Sequence, residues 1–404
     1  MKTRIKNISS IYTWNSDANK LQTFHNHEIL ILNNEIIEIS SNKIVDYDIE
    51  IDALDSIITP GFIDSHTHPV FVNNRADEFI MRSKNLSYSE INKQGGGINS
   101  SIEHLRRASY QDLYDSSYNN IKNFITFGTT TIEAKSGYGL SLDDEIKSLK
   151  VLKEINNDLD IDIIPTFLGA HSIPPEFIND REAYIDLICN EMIPAIAKDN
   201  LAVFCDVFCE EGYFNLDQTR KILETSKNYG LLPRVHADEF KCFGASELAN
   251  EIGALSADHL MVIDDKGVEA LSNSSTVATL LPGTTFFLNK NKYANGRHLI
   301  DNGCSVALAS DFNPGTCTIR SLPTIMLLAL NYCGMSIDES FKAVTYNAAR
   351  AIGKDNIGRI SPGCKADLIF WNLKSINEIP YWFDSSITKI SNVMKDGKIV
   401  NISI

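Results

Sequence analysis

The sequence predicts an α/β fold: a (β/α)8 TIM-like barrel with a small β-sandwich domain formed from both chain ends. Three observations predict it. The 404 residues exceed a single ordinary core and suit a barrel of about 250 residues with a companion domain. From residue 57 onward, strand-like segments alternate with stretches of helical periodicity. The two ends carry only short alternating segments with turn residues between them.

Residues 1–59 form the first part of the small domain. There "HEILILNNEIIEISSNKIVDYDIEIDAL" suits a meander of antiparallel strands. Residues 60–356 form the barrel. Its strand segments are "IITPGFIDSHTH", "GTTTIEAKSGYG", "DIIPTFLGAHS", "LAVFCDVFCEEG", "LLPRVHADEF", "LSADHLMV", "STVATLLPGTTFFL" and "CSVALASDFNPG". Helical periodicity marks Leu142–Ile155 and Leu216–Tyr229, and "ADHLMVIDDKGVEALSNS" reads as strand, Asp cap and helix. Nearly continuous apolar strands fit a parallel sheet covered on both faces. Residues 357–404 return to short segments, "IGRISPGCKADLIFWNL" and "ISNVMKDGKIVNISI". Neither end can bury a core alone, so the two are expected to pack together.

Composition narrows the function. The apolar fraction of 43% and charged fraction of 22% are those of an ordinary globular protein. A net charge of −15 argues against a general binder of nucleic acid or anionic membrane. An anionic substrate then needs a local cationic anchor. No run approaches about 18 apolar residues, and the start lacks the apolar core of a signal peptide. The eight cysteines are scattered without a CxxC pair, which fits reduced thiols and a cytoplasmic location. Cys205 and Cys209 share a strand face and are read as packing residues.

The chemistry begins at "FIDSHTHP", residues 62–69. Side chains two apart on a strand share a face, so His66 and His68 aim at one point. Two neutral imidazoles converging there suggest a metal. Active sites on this fold gather at the C-terminal ends of the strands. Of the nine histidines, His66, His68, His171, His236 and His259 fall at or near the ends of strands one, three, five and six. His25, His27, His104 and His298 do not, and are read as surface or local hydrogen-bonding residues.

"ALASDFNPG" ends strand eight with Asp311, beside strand one once the barrel closes. His66, His68, His236 and Asp311 can then surround one cation and leave a position for water. Glu239, three residues past His236 in "RVHADEF", begins the loop above strand five. A carboxylate there can take a proton from water and later give one to a leaving nitrogen.

With these residues in place, the sequence resembles the metal-dependent amidohydrolase superfamily and, within it, the imidazolonepropionase family. The narrower resemblance rests on "HTHPVFVNNRADEF", "QGGGI", "EAKSGYGL", "FLGAHSIPPEF", "CDVFCEEGYF", "VHADEF" and "SDFNPGTC", in that order across residues 60–317. It implies hydrolysis of the ring amide of 4-imidazolone-5-propanoate to N-formimidoyl-L-glutamate, a step of histidine degradation. It implies one zinc or iron ion on His66, His68, His236 and Asp311. Arg75 would bind the propionate, and Tyr138 and His171 would contact the imidazolone or its product. Glu239 would activate water and touch the substrate, and His259 would sit near the developing oxyanion. Asp311 would share in proton transfer, and Asn313, Gly315 and Thr316 would line the floor.

An arginine suits the propionate because its planar fork matches a carboxylate. Binuclear members of the superfamily bridge two metals with a lysine on strand four, and "LAVFCDVFCEEG" has none. Lys135 on strand two is read as an ion-pair partner, which leaves one metal. A cyclic-amidine deaminase sharing the same ligands, and a silent binding protein on the same barrel, are the competing readings. A homodimer is compatible with all three.

Overall fold

The computed structural model describes residues 1–400 apart from 85, 87–89 and 91–95. Gln94 and Gly95 of "QGGGI", and residues 401–404 of the last segment, lie outside the described residues.

Eight strands pair in parallel and in chain order: β1 (Phe62–Thr67), β2 (Thr129–Lys135), β3 (Asp162–Ala170), β4 (Phe204–Cys209), β5 (Leu232–Ala237), β6 (Ser256–His259), β7 (Val277–Leu280) and β8 (Val306–Leu308). The ring closes just beyond β8. Asp311 N donates to His66 O at 3.0 Å, and His68 N donates to Phe312 O at 2.8 Å. Ser310 N also donates to Asp64 Oδ1 at 3.0 Å inside the barrel. These contacts set the strand-eight loop against the end of β1, which is where the two sets of ligands must meet.

The helices follow from local sequence. Leu142–Asp158 starts at Ser141, whose side chain accepts from Asp144 N, with three acids in its first turn. Leu216–Asn228 starts with a reciprocal capping box between Asn215 and Gln218. Asp264 caps Asp265–Ser272 as its sequence pattern predicts. One expected strand is shorter than predicted. In "STVATLLPGTTFFL" only Val277–Leu280 is extended, and Pro282–Phe287 is a helix with proline in its first turn. Proline there lacks the N–H a strand would use and is preset for a helix start.

The chain ends build two sheets. Lys2–Lys6, Glu28–Leu32, Glu35–Ser40 and Ile49–Asp52 form one of four strands. The other, of six, places Leu368–Trp371 and Ile390–Lys395 from the C-terminal end beside Ile57–Pro60 and Ser10–Asn15 from the N-terminal end. Ile5, Ile29, Ile58, Leu368, Phe370 and Met394 share the core between them. The N-terminal part is not a pure antiparallel meander. Ile49–Asp52 runs parallel to Lys2–Lys6, because the chain crosses back over residues 41–48 instead of turning tightly.

Gly61 joins the six-stranded sheet to β1. Its N–H donates to Asp367 O at 2.8 Å, and a Cβ there would lie 2.2 Å from Thr130 Oγ1 and 2.9 Å from Thr130 Cβ. Rotating the threonine cannot remove the second contact. Gly61→Ala should therefore lower stability by about 1–3 kcal/mol through overpacking, read from denaturant midpoints. The loss should shrink in a Thr130→Ala background; an equal loss in both backgrounds would show that this contact is not its source.

Candidate metal centre and active site

Strand alternation points Asp64, His66 and His68 to the inside of the barrel, all buried. His66 Nδ1 lies 2.7 Å from Asp258 Oδ2 on β6. His236 Nδ1 lies 3.0 Å from Asp206 Oδ1 on β4. Each carboxylate accepts a hydrogen bond from Nδ1–H, which leaves Nε2 as a lone pair turned toward the barrel mouth. Burial first, then the Lys135 charge, holds the His66 pKa well below its usual range. Burial, then neighbouring His171, does the same to His68. Both imidazoles are neutral.

Their Nε2 atoms are 3.2 Å apart, and Asp311 Oδ1 lies 3.7 Å from the first and 3.4 Å from the second. His236 Nε2 is buried with no hydrogen-bond partner among the described residues. The His66 and His236 rings are 4.6 Å apart. Nitrogens gathered this closely in a dry interior, one of them unpartnered, suit a shared cation. Their spacing is near the ~3.3 Å edge of a tetrahedral site with Zn–N of about 2.0–2.1 Å. The four residues therefore fit a cation. Asp311 Oδ2 accepts from Thr284 Oγ1, which the Pro282–Phe287 helix brings to this point.

Glu239 and His259 stand beside this group, with His259 Nε2 3.7 Å from Glu239 Oε2. Glu239 is buried, and burial reinforced by the Asp311 and Glu210 charges lifts it well above the usual carboxylate range. Glu210 accepts from the backbone N–H of Phe240 at 2.8 Å, and so holds the loop that carries Glu239. His171 donates Nδ1–H to Gly137 O at 2.9 Å and stacks on His68 with centroids 5.3 Å apart. Burial pushes its pKa down to about 3. Tyr138 packs 5.3 Å from His171, and burial keeps its phenol protonated.

A cavity of about 940 Å3 opens over these groups and is lined by His68, Arg75, Tyr138, His171, Glu239, His259, Asp311, Asn313 and Thr316 among others. Arg75 is held by Glu78 through Nε–Oε1 at 2.7 Å and Nη2–Oε2 at 2.6 Å. Its guanidinium packs against Gly315, where a Cβ would meet Nη1 at 2.3 Å. Gly315 is thus the bed of Arg75 more than a wall of the cavity. Asn313 Oδ1 accepts from Gly315 N and Thr316 N at 2.8 and 2.7 Å, fixing that turn.

The structure brings together every residue singled out from the sequence. The remaining histidines stay outside: His25 pairs with Ser10, His104 with Ser100 O, and His298 with Asp265, while His27 bonds to His25 O. Cys205 and Cys209 are buried packing residues. Lys135 is an ion-pair partner, 2.8 Å from both Glu133 and Asp206. Sequence reasoning missed Asp206, Asp258 and Arg234. Their signal was a single charge inside an apolar strand segment, which a buried position tolerates only with a partner.

Fold and site define a metal-dependent amidohydrolase. The amidohydrolase family matches residues 247–400, and solved structures share the architecture. A triazine hydrolase variant superposes with a TM-score of 0.78 at 13% identity, covering 98% of this chain and 94% of that one. The guanine deaminase of C. acetobutylicum gives 0.72 at 16% identity, covering 99% and 100%. At such identities they show the fold alone. Imidazolonepropionase of Geobacillus kaustophilus (strain HTA426) is 45% identical over 351 residues, 87% of this chain and 82% of that protein. Imidazolonepropionase of Clostridium tetani (strain Massachusetts / E88) is 41% identical over 410 residues, 98% and 97%. The chain belongs to the imidazolonepropionase family.

Burial pushes Asp311 up to about 6, whereas His66 and His68 are already neutral well above their lowered pKa values. A cation needs Asp311 ionised, so below pH about 6 it must displace one proton. Affinity should be flat above pH about 7 and fall about tenfold per pH unit below 6. Competition with a chelator across pH measures this. A steeper fall beginning near 6.5 would mean that the histidines, not Asp311, compete for the proton.

Proposed function

We propose that the chain hydrolyses the ring amide of 4-imidazolone-5-propanoate to N-formimidoyl-L-glutamate, as one step of histidine degradation. The observation that carries this is one cavity lined by His68, His236, Asp311 and the Arg75 guanidinium, with His66 grouped beside it both with His68 and Asp311 and with His236. Similarity to the relatives over nearly the whole chain supports it.

His66, His68, His236 and Asp311 would hold one zinc or iron ion. Bound there, such an ion polarises a carbonyl and lowers the pKa of water toward neutrality. The protein's own groups do the rest. Arg75, oriented by Glu78, binds the propionate and fixes the ring over the histidines. Tyr138 and neutral His171 contact the imidazolone, Asn313 and Thr316 form the floor beneath it, and Gly315 acts through the Arg75 guanidinium packed on it. Glu239 takes the proton of the attacking water and delivers one to the leaving ring nitrogen. Its lifted pKa suits that second role, since an acid must hold its proton near neutral pH. His259, beside Glu239, faces the oxygen that gains charge, and Asp311 shares in the proton transfer.

All eight cysteines are free, which supports a reducing compartment such as the cytoplasm. Among the described residues no helix is long and apolar enough to cross a membrane. A deaminase reading offers no anionic substrate group for the Arg75 side of the cavity, because a neutral base lacks the propionate tail.

Purified protein incubated with fresh imidazolonepropionate should turn it over, lose activity to a chelator and regain it with zinc or iron. Ammonia release, or full activity without metal, would end this account. Glu239→Gln keeps the shape and removes the base, so kcat should fall by about 10²-fold or more at unchanged metal content. Wild-type turnover in that variant would shift the proton transfer to another group.

Arg75→Ala should lose about 2–4 kcal/mol in transition-state binding, and Arg75→Lys should also lose because an ammonium cannot fork. An imidazolone lacking the carboxylate should be a poor substrate that barely responds to Arg75→Ala. The measurement is kcat/KM for both compounds on both proteins. Strictly additive losses would place the carboxylate elsewhere.

A further inference from the structure

Lys135 is wholly buried at the end of β2 and does not line the cavity, so the reaction outlined above makes no use of it. A lysine in a dry barrel interior demands compensation. It finds two carboxylates, Glu133 Oε1 and Asp206 Oδ2, each at 2.8 Å. Asp206 continues the line. Its other oxygen, Oδ1, lies 3.0 Å from His236 Nδ1, and His236 Nε2 is the buried atom with no partner among the described residues. One lysine, one carboxylate and one imidazole thus run from β2 through β4 to β5.

We propose that Lys135 is a positioning residue of the metal centre: it holds Asp206 so that His236 keeps its proton on Nδ1 and presents Nε2 to the cation. This rests on the four-ligand reading of the site. The geometry gives Asp206 two tasks, one oxygen for each. Without the ammonium, Asp206 and Glu133 would be two carboxylates sharing a dry space, and nothing would fix which oxygen faces His236. Arg234 plays the matching part below the other strand. Its Nη2 lies 3.0 Å from Asp258 Oδ2 and 2.7 Å from Ser65 O, beneath the carboxylate that holds His66.

The sign of the effect separates positioning from plain electrostatics. Lys135 is a positive charge beneath a cation site, and its charge already opposes protonation of His66. If it acted only through that charge, removing it would relieve repulsion and tighten metal binding. If it positions Asp206, removing it weakens binding.

The test uses full-length protein loaded with cobalt(II), whose visible spectrum reports the ligand geometry. Lys135→Met alone leaves two unpaired buried carboxylates and risks misfolding. It is therefore combined with Glu133→Gln, which keeps the buried net charge unchanged. Lys135→Gln with Glu133 unchanged forms a second arm, which carries the test if the first does not fold and in which the charge-only account predicts tighter binding; Asp206→Asn serves as the reference for losing the held carboxylate. Circular dichroism and the thermal midpoint of metal-free protein check that each variant is folded.

The expected result is a dissociation constant weakened about 10–100-fold in either arm, with an altered cobalt spectrum. Adding the Lys135/Glu133 changes to Asp206→Asn should cost little more, since they act through the same residue. Unchanged or tighter binding with a wild-type spectrum in folded variants would overturn the role given to Lys135. Wild-type protein that takes up no cobalt or zinc would instead overturn the four-ligand reading, and the role of Lys135 with it.

Discussion

The hydrogen bond from His66 Nδ1 to Asp258 Oδ2, 2.7 Å long and sealed from water, is the constraint on which the site depends. It decides which nitrogen of His66 carries the proton, and so which one faces the mouth. That places one lone pair 3.2 Å from His68 Nε2, where a cation between the two rings can take both nitrogens as ligands. Asp258 in turn needs a cation in a dry interior, and Arg234 supplies it. Arg234 also donates to Ser65 O and Ala351 O, tying β5 to β1 and to the helix Tyr346–Ala351. The choice of one tautomer is thereby built into the framework of the barrel.

A second constraint operates at the mouth. The chain carries a net charge of −15, yet two guanidiniums, Arg75 and Arg82, flank the single carboxylate of Glu78 there. Glu78 is itself buried and accepts from Gly97 N at 2.9 Å. Arg82 donates to Gly315 O at 2.7 Å, and Gly315 is the surface on which Arg75 lies. The loop after β1 and the loop after β8 thus brace one another.

Some of the chain's strained backbone lies at the site. Asp238, His259 and Asp311 have φ of +50°, +81° and +53°, a region that favours glycine and costs side-chain-bearing residues on the order of 1–3 kcal/mol. Each stands where a strand ends and the chain must turn while its side chain, or its neighbour's, stays aimed at the cavity. The barrel ladder and the buried pairs hold these turns. Solved structures at 13% and 16% identity share the architecture, so the frame tolerates wide change in sequence, while the chemistry rests on a few strained positions and their supports.

Local periodicity determined much of this protein. Alternation along a strand placed His66 and His68 on one face, and the strand-and-helix rhythm placed His236, His259 and Asp311 at strand ends, because both patterns are written in neighbouring residues. The cap signal at Asp264 was equally local. Tertiary structure alone decided the partners. Asp258 meets His66 across 192 positions of chain, and Lys135 finds Asp206 two strands away across β3. No local pattern encodes such pairings, since each follows from which strands the closed ring makes neighbours and how far they are staggered. The parallel return of Ile49–Asp52 to Lys2–Lys6 escaped prediction for the same reason. Alternation shows which face of a strand is buried, and only packing shows what it is buried against.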